Sequence, residues 1–181
     1  MKRIKYISIL SIAFLLLIFF LVATTMDVDQ GIIRKLPPPV YDIPPIDFHE
    51  RDILVVLINR DNKLMVEGVE TDLKKVRSIA KEFVVNPLKS EKLPKLSTIN
   101  VDYFGEVSVT KKHVISLRSD RGTSYEMYIA VQNELVAAYN ELREELAQKK
   151  WHTSFSSLLK DKQKAITAIY PMKISEAEPN Y

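Results

Sequence analysis

Residues 6–26 read YISILSIAFLLLIFFLVATTM, a stretch without a single charge, preceded by Lys2, Arg3 and Lys5 and followed by Asp27 and Asp29. At about 1.5 Å of rise per residue, Ile7 to Thr25 reaches roughly 29 Å, close to the hydrocarbon thickness of a bilayer. The stretch therefore predicts one transmembrane helix, with the lipid bilayer as its first partner. The cations before it predict a cytoplasmic amino terminus, residues 1–5, and place everything after Met26 across the membrane. A cleaved secretory signal fits less well: the apolar run is longer than a signal core, and Val22-Ala23-Thr24-Thr25 is a poor cleavage pattern. The chain has no cysteine, which excludes a lipid anchor on that side chain.

Outward from the span, residues 27–51 are rich in proline (Pro37, Pro38, Pro39, Pro44 and Pro45) and predict an extended, semi-rigid tether. Its apolar residues Ile32, Ile33, Leu36, Val40, Ile43, Ile46 and Phe48 suggest that part of it docks on a surface. Residues 52–181 are long enough for one compact domain and too short for two. The net charge of +3 is spread along the chain with no aromatic-interleaved basic stripe, so no nucleic-acid partner is expected.

The domain opens with Ile53 to Ile58, a run rich in β-branched residues, then the turn Asn59-Arg60-Asp61-Asn62 and Leu64-Met65-Val66, which together predict a hairpin. Gly68 breaks the strand. Thr71 or Asp72 can cap a helix whose apolar residues Leu73, Val76, Ile79, Ala80 and Phe83 recur three or four apart and which ends near Asn86-Pro87. The polar insertion from Leu88 to about Lys112 reads as loop, with a short strand near Glu106 to Thr110. Val114 to Leu117 predicts a strand closed by the turn Ser119 to Gly122. Thr123 and Glu126 have capping-box spacing before a helix of about six turns carrying Tyr128, Val131, Leu135, Tyr139, Leu142 and Leu146. Ser156 to about Ala168 predicts another helix, stopped near Tyr170-Pro171, and Lys173-Ile174-Ser175 returns as a strand. The pattern indicates an α+β fold, a small sheet with helices on one face.

The residue inventory argues against an enzyme and calls for no cofactor and no metal. His49, His113 and His152 lack metal-ligand spacing and read as surface or linker histidines. Glu144 and Glu145 are consecutive on a helix, so they point apart and form no acid–base pair. With four glycines in the chain there is no phosphate-cradling loop and no nucleophile elbow.

The block SIAFLLLIFFLVATTMDVDQGIIRKLPPP, Ser11 to Pro39, resembles the membrane segment and following stretch of the ExbD/TolR family of biopolymer-transport proteins, especially the longer ExbD-like proteins of Bacteroidota. The ending IYPMKISEAEP, Ile169 to Pro179, is similar to the carboxy terminus of that group. The resemblance implies an inner-membrane protein with a periplasmic tether and an ExbD-like periplasmic domain. It also implies a part in an ExbB–ExbD–TonB type complex, in which proton flow down the membrane gradient powers outer-membrane transport. Its partners would then be an ExbB-like ring-forming membrane protein and a TonB-like protein.

In the family an intramembrane aspartate carries the proton; the corresponding position here is Ser11. A hydroxyl can hydrogen-bond but cannot become a carboxylate, and Asp27, about 24 Å further along a helix, falls in the interface. The preferred expectation is a heterodimer in which this chain is the non-titrating partner of an Asp-bearing ExbD paralogue. Alternatives are a homodimeric, non-conducting subunit and a single-span envelope-anchored binding or structural protein uncoupled from proton flow. In the domain, exposed sheet edges suit capture of an extended partner segment, the candidates being the hairpin Ile53 to Val66 and the ending Lys173, Ile174 and Ser175 through Ala177. Either segment could equally do no more than complete the sheet.

Overall fold

The computed structural model describes residues 10–20 and 49–177, and the chain divides into two units between Pro45 and Ile46. In the first unit, residues 10–20 form helix α1. The eleven described residues of this helix account for about 16 Å of its length. Among the described residues no helix is long and apolar enough to cross a membrane. The fold therefore does not establish the expected span over 6–26, whose flanks 6–9 and 21–26 lie outside the described residues. Of the expected tether over 27–51, residues 27–48, including Asp27, lie outside them as well, and its end enters a 3-10 turn at Glu50–Asp52 instead of staying extended.

The second unit is a mixed α+β domain around a five-stranded sheet in the order β3-β2-β1-β6-β7. Strand β1 (Ile53–Ile58) turns back into β2 (Leu64–Val66), as expected, and the short β3 (Val69–Glu70) follows antiparallel. Asn59 builds the first turn, its Oδ1 accepting from the amides of Asp61 and Lys63 at 3.0 and 2.8 Å. Helix α2 (Leu73–Val85) is capped by Asp72, whose carboxylate accepts from Lys74 N, and ends on Asn86 in a left-handed conformation before Pro87. Strand β6 (Val114–Ser119) then pairs parallel with β1.

Helix α3 (Tyr125–Trp151) is the longest element, about 40 Å. Its cap is Ser124, which accepts from Met127 N; Thr123 instead donates to the carbonyls of Ile58 and Asn59. The capping box expected of Thr123 and Glu126 therefore does not form, and the cap moves one residue on to Ser124, because Thr123 is held at the end of the sheet. Lys149 and Lys150 in the last turn complement the negative end of the helix. A 3-10 turn (Phe155–Ser157) delays helix α4 to Lys160–Ile169, and β7 (Ile174–Ala177) closes the sheet parallel to β6.

Alternation in β1 sends Leu54, Val56 and Ile58 to one face, joined by Ile115 and Leu117 of β6. Helices α2 and α3 cover that face with Val76, Ala80, Phe83, Val131, Leu135, Ala138, Tyr139 and Leu142. The insertion is the main departure from expectation. It contains β4 (Leu96–Val101) and β5 (Gly105–Thr110), paired as a separate antiparallel hairpin. Ile99 lies opposite Val107, and with Val101 and Val109 they pack against Ala165 and Ile169 of α4 in a second small core. The solvent-facing strand residues are Ser97, Thr98, Asn100, Glu106 and Ser108 with Gly105, which is why the segment reads as loop from composition.

Glu144 and Glu145 do point apart. Glu144 accepts from Phe155 N and Ser154 Oγ, fixing the 3-10 turn, while Glu145 pairs with Lys81 of α2. Arg77 bridges Glu134 and Glu141, so a row of ion pairs lies along the α2–α3 seam.

Leu135 is fully buried and Leu88 is 84 % exposed. Leu135→Ala is expected to lower unfolding free energy by about 2–5 kcal/mol, and Leu88→Ala to change it by less than about 0.5 kcal/mol. Chemical denaturation of both variants checks the assignment of the core.

Candidate partner-binding edge

The sequence places its candidate partner-binding residues on Lys173, Ile174 and Ser175. The structure puts them at and just before β7, the outermost strand on one side of the sheet. The hairpin Ile53 to Val66 does not supply an edge: β1 lies between β2 and β6, and β2 is covered by β3. The opposite edge belongs to β3, only two residues long. Hairpin residues pair on both sides because β1 accepts β6 in parallel after a crossover, a long-range choice that local pattern does not reveal.

Strand β7 pairs Ile174 with Ile115, Ser175 with Ser116, Glu176 with Leu117 and Ala177 with Arg118. Ile115 N donates to Lys173 O at 2.9 Å, so the backbone of Lys173 turns inward. By alternation Ser175 also turns inward, while Ile174 and Glu176 direct their N–H and C=O away from β6. Ile174 places its side chain against the main core; Ser175 is exposed. The outward backbone of Ile174 is thus the part of this edge that a further strand could meet, with Ser175 supplying only a side chain.

What holds β7 in place is a polar cluster beneath its start. Arg143 of α3 donates from Nε and Nη2 to Tyr170 O at 3.2 and 2.8 Å, fixing the turn after α4. Tyr139, one helical turn earlier and fully buried, receives Lys173 N on its hydroxyl at 3.4 Å. Lys173 Nζ donates to Lys111 O at 2.6 Å. Burial pushes the Tyr139 phenol up to about 12 and lowers Lys173, the latter helped by the neighbouring Lys111.

His113 completes the cluster and corrects the expectation of a surface or linker histidine: its accessible surface is zero. Its ring stacks on Tyr139 with centroids 6.0 Å apart. Thr110 Oγ1 donates to Val84 O, leaving Thr110 O and Oγ1 to accept from His113 Nδ1. Nε2 is buried and, among the described residues, has no hydrogen-bond partner within ordinary distance. His49 and His152 are exposed. Residue spacing marks Tyr139 as core and puts Arg143 on the same face one turn on. Nothing local marks His113, because its burial follows from how β5 and β6 meet under α3.

Ser11 lies within α1 and is exposed. Among the described residues no group of three or more His, Cys, Asp or Glu side chains is placed to hold a metal ion.

Burial lowers the His113 pKa, aided by the charge on Lys173 and opposed by the carbonyls of Thr110 and Pro171. As pH falls through about 6.5 the unfolded chain takes up a proton that the folded chain resists, so stability is present above that pH and declines below it. The unfolding midpoint is expected to fall between pH 7.5 and about 5, and His113→Leu to flatten that dependence; thermal melts across the range check it.

A family model described as "Biopolymer transport protein ExbD/TolR" matches residues 1–147. The match takes in α1, the strands from β1 to β6 and most of α3, and it stops before α4 and β7. Among curated proteins none matches the chain.

Proposed function

The chain belongs to the ExbD/TolR family of biopolymer transport proteins, and from that premise we propose that it is a non-enzymatic accessory subunit of a proton-driven energy-transduction complex. Family membership implies ExbB-like and TonB-like partners in general. The finer reading is that this chain is the non-titrating member of an ExbD heterodimer, paired with an Asp-bearing paralogue inside an ExbB-like ring.

The observation that carries this reading is the composition of α1, LSIAFLLLIFF, in which Ser11 is the sole polar side chain. Every residue of this helix is exposed, Leu10 and Leu15 at about 70 %. A helix apolar on all sides is stable only in apolar surroundings, which favours a bilayer or a ring of membrane helices over water. The uncharged stretch 6–26 around it supports a single pass through the inner membrane with the α+β domain in the periplasm.

A proton-carrying position needs a group that gains and loses charge near neutral pH. Aspartate does so when desolvation raises its pKa; a serine hydroxyl does not titrate there. Each proton crossing releases about 2.3 kcal/mol per 100 mV, and a helix without a carboxylate cannot couple to it directly. Coupling would fall to the partner helix, while this chain supplies the pairing surface and the domain. In that domain the β7 edge suits capture of an extended segment of a TonB-like protein by strand addition.

Purification of the membrane complex from its native host tests the pairing. Recovery together with an Asp-bearing homologue and an ExbB-like ring is expected. Recovery only as a self-pair would rule out the heterodimer, and absence of a ring would favour a simple anchored binding protein. In a ring assembled with this chain alone, Ser11→Asp is expected to raise proton leak across vesicles; an unchanged leak would count against the silent-helix reading.

A further inference from the structure

A cleft of about 380 Å³ lies between Arg51, just ahead of β1, and the loop that follows α2. Its lining includes Arg51, Lys89 and Lys95 with Glu91 as the only carboxylate. Lys89 follows the carboxyl end of α2, where a cation is ordinary. Lys95 lies at the far end of the same loop, next to β4, and Arg51 comes from another part of the chain ahead of β1, so the convergence of Arg51 on this cleft is not explained by that helix end. None of the three forms an ion pair among the described residues.

The loop is built rather than loose. Asn86 is 2 % exposed, and its amide donates to Ser90 O and Pro94 O at 3.1 and 3.0 Å while its Oδ1 accepts from Ser90 N at 2.8 Å. Lys89 N donates to Asn86 O, and Lys89 holds a φ of 52°, a left-handed conformation that a non-glycine residue adopts at some cost. Arg51 Nε is buried and has no acceptor among the described residues. A dehydrated N–H without a partner is unfavourable until an acceptor arrives.

We infer that this cleft binds a small oxyanion with two or more negative charges, of the carboxylate or phosphate type, gripped by Arg51 and neutralised by Lys89 and Lys95. The guanidinium fork matches both classes of anion in a bidentate way. The volume lies within the range of small-ligand sites. This inference is independent of the transport reading and belongs to the segment between α2 and β4.

Calorimetric titration of the full-length chain in detergent, at constant ionic strength, with sodium pyrophosphate in one arm and sodium citrate in the other, tests it. Saturable one-to-one binding of at least one anion is expected, and the tighter arm assigns the phosphate or carboxylate source. Arg51→Gln and the exposed Lys89→Gln should each weaken binding about tenfold. Arg51→Lys, which keeps the charge and loses the fork, should fall between. Lys74→Gln, an exposed lysine at the start of α2, should leave affinity unchanged. If Arg51→Gln fails to fold, Lys89→Gln decides. No saturable binding in either arm, no weakening in Lys89→Gln, or equal weakening in Lys74→Gln would overturn the inference.

Discussion

Parallel pairing of β1 with β6, from Ile53 against Val114 to Ile58 against Ser119, is the constraint on which the domain depends. Parallel neighbours cannot be joined by a tight turn, so the chain between them must leave the sheet and return. Helix α2 and the β4–β5 hairpin occupy that crossover, and α3 with α4 occupy the next one, from β6 to β7. Because the pairing keeps Leu54, Val56 and Ile58 on the same face as Ile115 and Leu117, the helices must cover that face together. The ion pairs of Arg77 and Lys81 with Glu134, Glu141 and Glu145 run along the outside of the α2–α3 seam.

The same pairing makes β7 an edge. A strand added parallel to β6 needs no further neighbour to complete the core, since Ile174 already reaches it. Stability at this edge comes from below, through Arg143 on Tyr170 O and Tyr139 beneath Lys173. His113 lies against the same tyrosine, so the imidazole, the phenol and the start of the edge strand share one desolvated environment. For a protein of the ExbD/TolR family this places a strand with outward N–H and C=O groups on a support that acid weakens.

Much of the domain was legible before any coordinates. The hairpin Ile53 to Val66, helix α2 with its Asp72 cap, and the core stripe Val131, Leu135, Tyr139 and Leu142 all announce themselves through period and turn chemistry. The strand near Glu106 to Thr110 was legible too, but its partner Leu96–Val101 was not. Ser97, Thr98 and Asn100 dilute its apolar signal, and the turn places a non-glycine residue, Tyr103, in a left-handed conformation ahead of Gly105. The cap of α3 was misplaced by one residue because Ser124 and Thr123 are chemically equivalent as caps until a tertiary bond engages one of them.

By itself the sequence determined the membership in the family, the α+β class, the uncharged apolar stretch at 6–26 and the serine at position 11, since these rest on residue identity and short-range periodicity. Only the tertiary structure decided that β1 is central and β7 outermost, that His113 is buried against Tyr139, and that Arg51 meets Lys89 and Lys95 across a cleft. Those outcomes depend on contacts between residues far apart in the chain. Local propensity is blind to such contacts because the free energy that selects them comes from burying one element against another.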